Sequence, residues 1–353
     1  MKTVALTHGY PPFWNMGGEV SLHRTMKALN GQKHVLTNTE EPYVFEGVNV
    51  EKVDLENVLK IHSNPRPVTH QLRKMKADVV IGQSELSLVA VNAAYDAGAI
   101  SVVNVHAPPV FGGGIQEAVR ISDYAIYNTH ESAKLWGEPN AFVLHPPISP
   151  LPEKINNTGD AYTVLSSLRN KGVEVVLYLA KFYPNKRFII VRSPAEPTHG
   201  LPDLEERAAK LPNVELHPRV PPEEVYKYLE QTRILLVPSM YETYGMSAIE
   251  AAGYGIPSIH VDTPHVREGI GDAAILIPGM DVDAALRAID KIESNYDQYS
   301  KAAREKAEWI SNRQDEEFKN LALYIDNLKK PIDKAKRRRA IEAAFKKNKD
   351  VRY

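Results

Sequence analysis

Short β-branched runs alternate with helix-forming stretches along this chain, and the alternation occurs twice. TVALTH (3–8), ADVVIG (77–82), SVVNVH (101–106), YAIYNT (124–129) and AFVLHP (141–146) read as strands. Between them, VSLHRTMKAL (20–29), ELSLVAVNAAYDAG (85–98) and THESAKLWG (129–137) read as helices, with Gly98 and Gly137 where C-caps belong. Strand–helix–strand repetition joins parallel strands through crossover helices, so the expected architecture is a doubly wound α/β sheet. PISPLPEKINNTGDAY (147–162), rich in Pro, Asn and Gly, reads as a linker. The pattern then restarts. TVLSSL, RFIIVRS, NVELHPRV, RILLVPS and PSIHVD are strand-like; VEVVLYLAKFY, LEERAAKL, PEEVYKYLEQ and YGMSAIEAAGYG are helix-like. Two tandem domains follow, as a length of 353 residues, too long for one typical core, also suggests.

After Pro278, DVDAALRAIDKIE, QYSKAAREKAEWI and QDEEFKNLALYIDNL read as three successive helices. The expected division is therefore an N-terminal Rossmann-like domain over 1–148 and a second over 149–310. A crossover helix over 311–328 and a basic tail over 329–353 complete it. That tail holds 11 Lys/Arg against 3 Asp/Glu. It reads as a solvated segment, or as a basic helix drawn to nucleic acid or to an anionic membrane surface.

Composition excludes more than it selects. There is no cysteine, which removes disulfides, thiolate catalysis and zinc–thiolate sites and suits a reducing compartment. Net charge is −1, so the overall charge names no partner. No apolar run approaches the ~20 residues of a membrane span, and MKTVALTHGYPP lacks the pattern of a signal peptide. The expectation is a cytoplasmic protein, with a membrane-peripheral placement as the variant.

The stretch YETYGMSAIE (241–250) sets two carboxylates, Glu242 and Glu250, around Gly245. The strand RILLVPS ends just before them, and doubly wound sheets bind ligands at the carboxyl ends of strands. Gly245 permits close backbone approach, and the following helix opens its N–H groups to the same space. Glu250 lies about 12 Å further along, at ~1.5 Å per residue. Each carboxylate can accept from two adjacent hydroxyls, so the two together could grip both polyol ends of one long ligand, such as a nucleotide sugar. A pair of glutamates at this spacing also fits the solvated face of an amphipathic helix. No histidine pair has metal-ligand spacing, and no metal is expected.

In its setting, VPSMYETYGMSAIEAAGYGIPSI resembles the donor-site signature of retaining glycosyltransferases of family 4, which have the GT-B fold. The matching positions are Pro238, Ser239, Glu242, Tyr244, Gly245, Glu250, Ala251, Gly255 and Pro257. TPHVREGIGDAAILIP (263–278) is similar to that family's donor-sugar loop, with Glu268. PPFWNMGGEVSLHRTMKAL (11–29) resembles its N-terminal glycine loop.

The resemblance implies two Rossmann-like domains facing a cleft, with C-terminal helices crossing back to the first. It implies transfer of a sugar from a UDP- or GDP-sugar, with retention and without a metal or other cofactor. Glu242 would bind the transferred sugar and Glu250 the ribose. The backbone of Thr243, Tyr244, Gly245 and Met246 would face sugar and phosphate, and Gly17 and Gly18 would meet a phosphate. Lys171 would neutralise the leaving diphosphate. The family's arginine position holds Ser166 here, and Arg169 is the candidate substitute. His106 would stand near the reacting sugar, and FGGG (111–114) is an acceptor loop or a plain turn. The acceptor stays open among saccharide, lipid, protein and nucleic acid. A different nucleotide-sugar enzyme, such as a non-hydrolysing epimerase, and a catalytically degenerate binding protein are the alternatives.

Overall fold

A computed structural model describes residues 1–13, 17–55, 65–106, 113–153, 158–193, 200–221 and 224–329. The chain divides into two units, Met1–Pro147 with the segment from Asp315 onward, and Ile148–Gln314. The tail beyond Lys329 lies outside the described residues, as do Phe111 and Gly112 of FGGG.

The first unit is built on eight strands: β1 (Lys2–Leu6), β2 (Gln32–Thr37), β3 (Tyr43–Phe45), β4 (Val48–Lys52), β5 (Val79–Gln83), β6 (Ile100–Val105), β7 (Tyr124–Tyr127) and β8 (Phe142–Val143). They lie in the order β3-β4-β2-β1-β5-β6-β7-β8. Every pair is parallel except the β3–β4 hairpin. Central strands β5 and β6 are buried at every residue, as two helix-covered faces require. Helices α1 (Gly17–Ala28), α2 (Arg66–Met75), α3 (Ser87–Ala97), α4 (Gly113–Ile121) and α5 (His130–Leu135) supply that cover. Gly98 ends α3 in the left-handed conformation, and the Thr129 hydroxyl starts α5 by accepting from the Ser132 N–H at 3.0 Å.

The second unit holds β9 (Ala161–Val164), β10 (Phe188–Val191), β11 (Val214–His217), β12 (Thr232–Val237), β13 (Ser258–Val261) and β14 (Ile275–Ile277). All are parallel, in the order β11-β10-β9-β12-β13-β14. Its helices are α6 (Val173–Phe182), α7 (Leu204–Ala209), α8 (Tyr226–Leu229), α9 (Met246–Gly253), α10 (Pro264–Glu268), α11 (Val282–Ser294) and α12 (Tyr296–Asp326). One core layer joins α6 and α11 to the sheet. The layer on the other face joins α9 and α12 to it. This is the two-sided cover of a doubly wound sheet.

Three differences from the sequence reading have local causes. Strands β2, β3 and β4 escaped it because they lie towards the sheet edge and carry polar residues, as in Gln32–His34. The strand expected over 141–146 shrinks to Phe142–Val143, at the opposite edge. The two helices expected over 298–310 and 314–328 are one helix of 31 residues. Nothing between them, Ser311 and Asn312 included, forces a break. The passage from the second unit to the first, at Gln314–Asp315, falls inside this helix. Its last turns bury Leu321 and Ile325 in a cluster with Ala5, Val35 and Ile81 of the first unit.

Leu321 is fully buried there. Replacement by alanine should cost about 3 kcal/mol, within the range for buried leucines whose site collapses only in part. Urea unfolding followed by a probe in the first unit should show its transition moving to lower denaturant.

Candidate functional site

In the second sheet β9 and β12 are neighbours although the chain runs between them through β10 and β11. The loops leaving these two strands carry the candidate donor-site residues. After β9 the chain makes a 3-10 turn over Arg169–Lys171 and enters α6 through Gly172 at φ +85°. A side chain at Gly172 would stand 2.4 Å from the Pro238 carbonyl oxygen, so the two loops lie in direct contact. The Met240 N–H donates to the Asn170 carbonyl at 2.8 Å.

Across this seam Lys171 Nζ donates to Glu242 Oε1 at 2.5 Å, and the Ser239 hydroxyl donates to the same oxygen at 2.9 Å. The Thr263 hydroxyl donates to the Glu242 carbonyl at 3.1 Å. Glu242 is therefore fixed at both ends, with its side chain 15% exposed, while that of Lys171 remains 35% exposed. The site is thus a cation and a carboxylate, preorganised on strand ends and open to solvent on the lysine side.

The turn after Glu242 is packed from beneath. The Tyr244 side chain is buried, and its hydroxyl accepts from Arg313 Nη2 at 3.1 Å. Gly245 enters α9 at φ +87°, and a Cβ there would lie 2.6 Å from His260 Nε2. His260 is fully buried, and burial pushes its imidazole pKa down against the opposing pull of Glu242. Tyr244 thus serves the core through its ring, leaving only its backbone for a ligand. Thr243 and Met246 are half-buried, with Met246 the first residue of α9 and half-buried Glu250 in the same helix. Glu268 is the last residue of α10.

Two expected residues stand apart from the pair. Arg169 is 61% exposed, and its nearest carboxylate is Glu174 at 3.8 Å. Ser166 turns its hydroxyl back to accept from the Leu168 N–H at 3.3 Å. Among the described residues, the ion-pair partner of Glu242 is Lys171.

In the first unit His106 follows the last residue of β6. Its Nε2 is shielded from solvent without a hydrogen-bond partner among the described residues, and burial pushes its pKa down to about 4. Gly17 and Gly18 open α1 outside the left-handed region. A Cβ at Gly17 would meet nothing within 4 Å, and at Gly18 only Gln83 Nε2 at 3.8 Å. Neither backbone conformation nor described packing calls for glycine there, which leaves room for close approach of another molecule.

The sequence reading missed the support of the site. Ser239 was visible in its motif without a role, while Asn170, Thr263, His260 and Arg313 gave no local signal. It also passed over a D-x-D spacing, Asp281 to Asp283. The first of these aspartates caps α11, accepting from the Ala284 N–H at 2.8 Å.

Residues 156–309 match the family model described as "Glycosyl transferases group 1". The structure is similar to that of Alr3699/HepE from Anabaena in complex with UDP. Identity is 15%, coverage is 93% of this chain and 100% of that one, and the TM-score is 0.71. It is also similar to sucrose-phosphate synthase from Thermosynechococcus elongatus, with 15% identity, 92% and 98% coverage and a TM-score of 0.72. The fold is GT-B. Its second unit carries a glycosyltransferase group 1 domain, a domain of transferases. In sequence, 120 residues are 29% identical to a phosphatidylinositol N-acetylglucosaminyltransferase component from Arabidopsis thaliana, covering 34% of this chain. That match spans about a quarter of the relative's length, 26%.

Two outcomes follow from this geometry. Gly245→Ala places a Cβ against His260 in a conformation that disfavours side chains, and should cost about 2 kcal/mol or more in the second unit's unfolding. For His106, the folded state holds the proton less tightly than the unfolded chain, whose value is about 6.5. The unfolded state therefore binds more protons between pH 6.5 and 4, and stability falls as pH drops through that window. The melting temperature should decline there less steeply in His106→Gln than in the wild type, and an imidazole resonance absent from the variant should titrate near pH 4.

Proposed function

We propose that the protein is a retaining glycosyltransferase that moves a sugar from a UDP- or GDP-sugar to a separate acceptor, without a metal. The observation that carries this reading is the Lys171–Glu242 pair held at the strand ends of the group 1 domain. The UDP named with Alr3699/HepE supports a nucleotide-sugar donor.

Breaking the sugar–phosphate bond leaves an oxocarbenium-like sugar and a diphosphate that gains negative charge. Lys171 is the preorganised cation for that charge, assisted by the N–H groups at the start of α9. Glu242 accepts from hydroxyls of the transferred sugar, with the backbone of Thr243 to Met246 beside it. Glu250 accepts from the ribose. The acceptor attacks on the face the diphosphate leaves, and the departing phosphate oxygen takes the acceptor's proton. No protein nucleophile enters. Gly17 and Gly18 permit approach of a phosphate or sugar, and neutral His106 stands beside the reacting sugar. Metal independence is supported by the use of Asp281 as a helix cap rather than as a free ligand. In this reading the first unit receives the acceptor, the second the donor, and the enzyme works in the cytoplasm or at a membrane surface. Arg169 is 61% exposed beside Glu174, so among the described residues Lys171 is the cation paired with Glu242. That favours the second reading, a GT-B protein that binds a nucleotide sugar without turning it over.

The test is thermal shift with UDP-, GDP- and ADP-sugars, since a ligand of the folded state raises the melting temperature by mass action. One donor class should raise it in the wild type and much less in Glu250→Ala. Lys171→Met should keep donor binding within about tenfold while donor turnover falls by about 10²–10³, the range for losing one charge-stabilising donor. Turnover unchanged by EDTA and an anomeric proton of retained configuration in the product complete the reading. Binding without any donor consumption would select the binding protein.

A further inference from the structure

Three elements of the first unit bring two histidines and a glutamate together. His130 is the first residue of α5, which the Thr129 hydroxyl caps, and it follows β7 closely. His145 lies just past β8. Strands β7 and β8 pair in parallel, with Tyr127 opposite Val143, and the Leu144 N–H extends the ladder by donating to the Tyr127 carbonyl at 2.9 Å. Continued to the next residues on the same face, that register sets His145 opposite Thr129 and so beside His130. Their rings meet edge to face with centroids 5.7 Å apart, and one ring nitrogen of each lies within 4.8 Å of the other's. The third member is Glu317 of α12, on the part of that helix that belongs to the first unit.

Glu317 holds His145 twice. Its Oε1 stands 2.7 Å from His145 Nδ1, and its Oε2 accepts from the His145 backbone N–H at 3.3 Å. A carboxylate only accepts, so Nδ1 carries the proton and the lone pair of the neutral ring falls on Nε2. The His145 side chain is 7% exposed and that of Glu317 16%, so both the ring and its tautomer are held in place. Other imidazoles also meet a carboxylate: His34 meets Glu51 and His217 meets Glu215, each at 3.0 Å. Each of those contacts brings one imidazole, on a more exposed pair, and an ordinary surface ion pair explains it. At His145, a contact that ties α12 to the sheet accounts for Glu317 in the same way. It does not account for His130, whose edge-to-face contact a phenyl ring would make as well.

A carboxylate on one nitrogen of an imidazole, with a second imidazole beside it, is the arrangement that metal-ligating histidines take. The carboxylate orients the ring and raises its basicity. Two nitrogen ligands in a chain without cysteine select a borderline divalent ion such as zinc, nickel or copper(II). Magnesium and calcium take oxygen ligands instead. Zn–N bonds of ~2.0–2.1 Å let one ion join nitrogens about 4 Å apart at most. His130 is exposed, so rotation of its side chain supplies the remaining closure, while buried His145 is already in place. We propose that His130 and His145 are ligands of a zinc-class ion, with Glu317 the residue that positions His145. The two imidazoles supply two of the ion's ligands, and water or a further ligand completes the shell. The site lies wholly in the first unit. It stands independently of the glycosyltransferase reading, in which Lys171 remains the cation of the leaving diphosphate and no step passes through this ion.

The experiment is isothermal titration calorimetry of ZnCl2 into the full chain, untagged and freed of metal by chelator and dialysis. The wild type should show a site with a Kd between about 1 and 100 μM. His130→Gln and His145→Gln should each weaken it at least about tenfold, as loss of a ligand must if loss of an orienting partner already costs that much. Glu317→Gln keeps an acceptor for Nδ1 and removes the charge. It should weaken zinc binding by about 10–100-fold, the range for losing such a partner. Its melting temperature in EDTA is read alongside: a loss of stability with zinc affinity intact is a purely structural role and overturns the proposal. His34→Gln should leave the affinity unchanged, and MgCl2 and CaCl2 should give no binding heat. CoCl2 should give a visible absorption in the wild type that is absent in His130→Gln. No site tighter than about 100 μM, zinc affinity surviving His130→Gln, or equal binding of magnesium overturns the proposal. A loss in His34→Gln as large as in His130→Gln marks unselective surface binding and overturns it too. If His145→Gln fails to fold, His130→Gln, at an exposed position, decides alone.

Discussion

Each sheet of this protein turns back on its own strand order once, and the site residues collect where it does. In the second unit the chain lays β9 first, adds β10 and β11 on one side, then returns to place β12 on the other. Crossovers between parallel strands are right-handed, so reversing the direction of winding puts the next helix on the opposite face. The cores record this, with α6 in one layer and α9 in the other. The loops leaving β9 and β12 touch just past the strand ends, through Gly172 on Pro238 and Met240 on Asn170. Lys171 and Glu242 meet between them. The first unit repeats the arrangement at β1 and β5, with α1 and α3 in separate layers, and there Thr7, Gly18 and Gln83 line the gap.

The Lys171–Glu242 contact is better understood as a device for holding charge in place than as a source of stability. A partly buried ion pair recovers little more than its desolvation, and an apolar pair of similar size often does as well. Here the carboxylate is fixed by Ser239 as well as by Lys171, and its own carbonyl by Thr263. The lysine stays more exposed than the glutamate. A diphosphate approaching from solvent would meet a cation already aimed, with no reorganisation needed when charge develops.

The doubly wound architecture was legible in the sequence because buried parallel strands are continuous apolar runs, as in VVIGQ and ISVVNV, and runs need no tertiary knowledge to find. Strands on the β3 side of the first sheet, such as Gln32–Thr37, begin with exposed or half-buried polar residues, and their pattern dissolves into the background. The 31-residue helix was divided because sequence marks starts and stops and offers none near Ser311 that a continuous helix must obey. Within the site, Lys171, Glu242 and Gly245 were legible through motif context. Arg169 was assigned by chemistry alone, and its carboxylate neighbour in the structure is Glu174, in the first turn of α6. The contact of Gln83 with Thr7 could not be read from the sequence, because 76 residues separate them and only the pairing of β1 with β5 makes them neighbours.

The support beneath the Glu242 turn explains why its glycine cannot be a matter of chain flexibility alone. Gly172, Gly245 and Gly269 each have a backbone or ring atom where a Cβ would go: the Pro238 carbonyl, the His260 imidazole and the Tyr244 carbonyl. The turn is therefore clamped from three directions by packing, with Tyr244 tied through its hydroxyl to Arg313 on α12. A turn held this way has few alternative conformations to lose when a ligand binds, so little of the binding energy is spent on ordering it. It also makes His260 informative. Its nitrogen, without a hydrogen-bond partner among the described residues, lies against Gly245 in the buried floor of the turn. The fold thus accepts an unsatisfied buried atom where the Gly245 backbone packs against the imidazole, the pattern of a structure that gives up some stability to fix the shape of a turn.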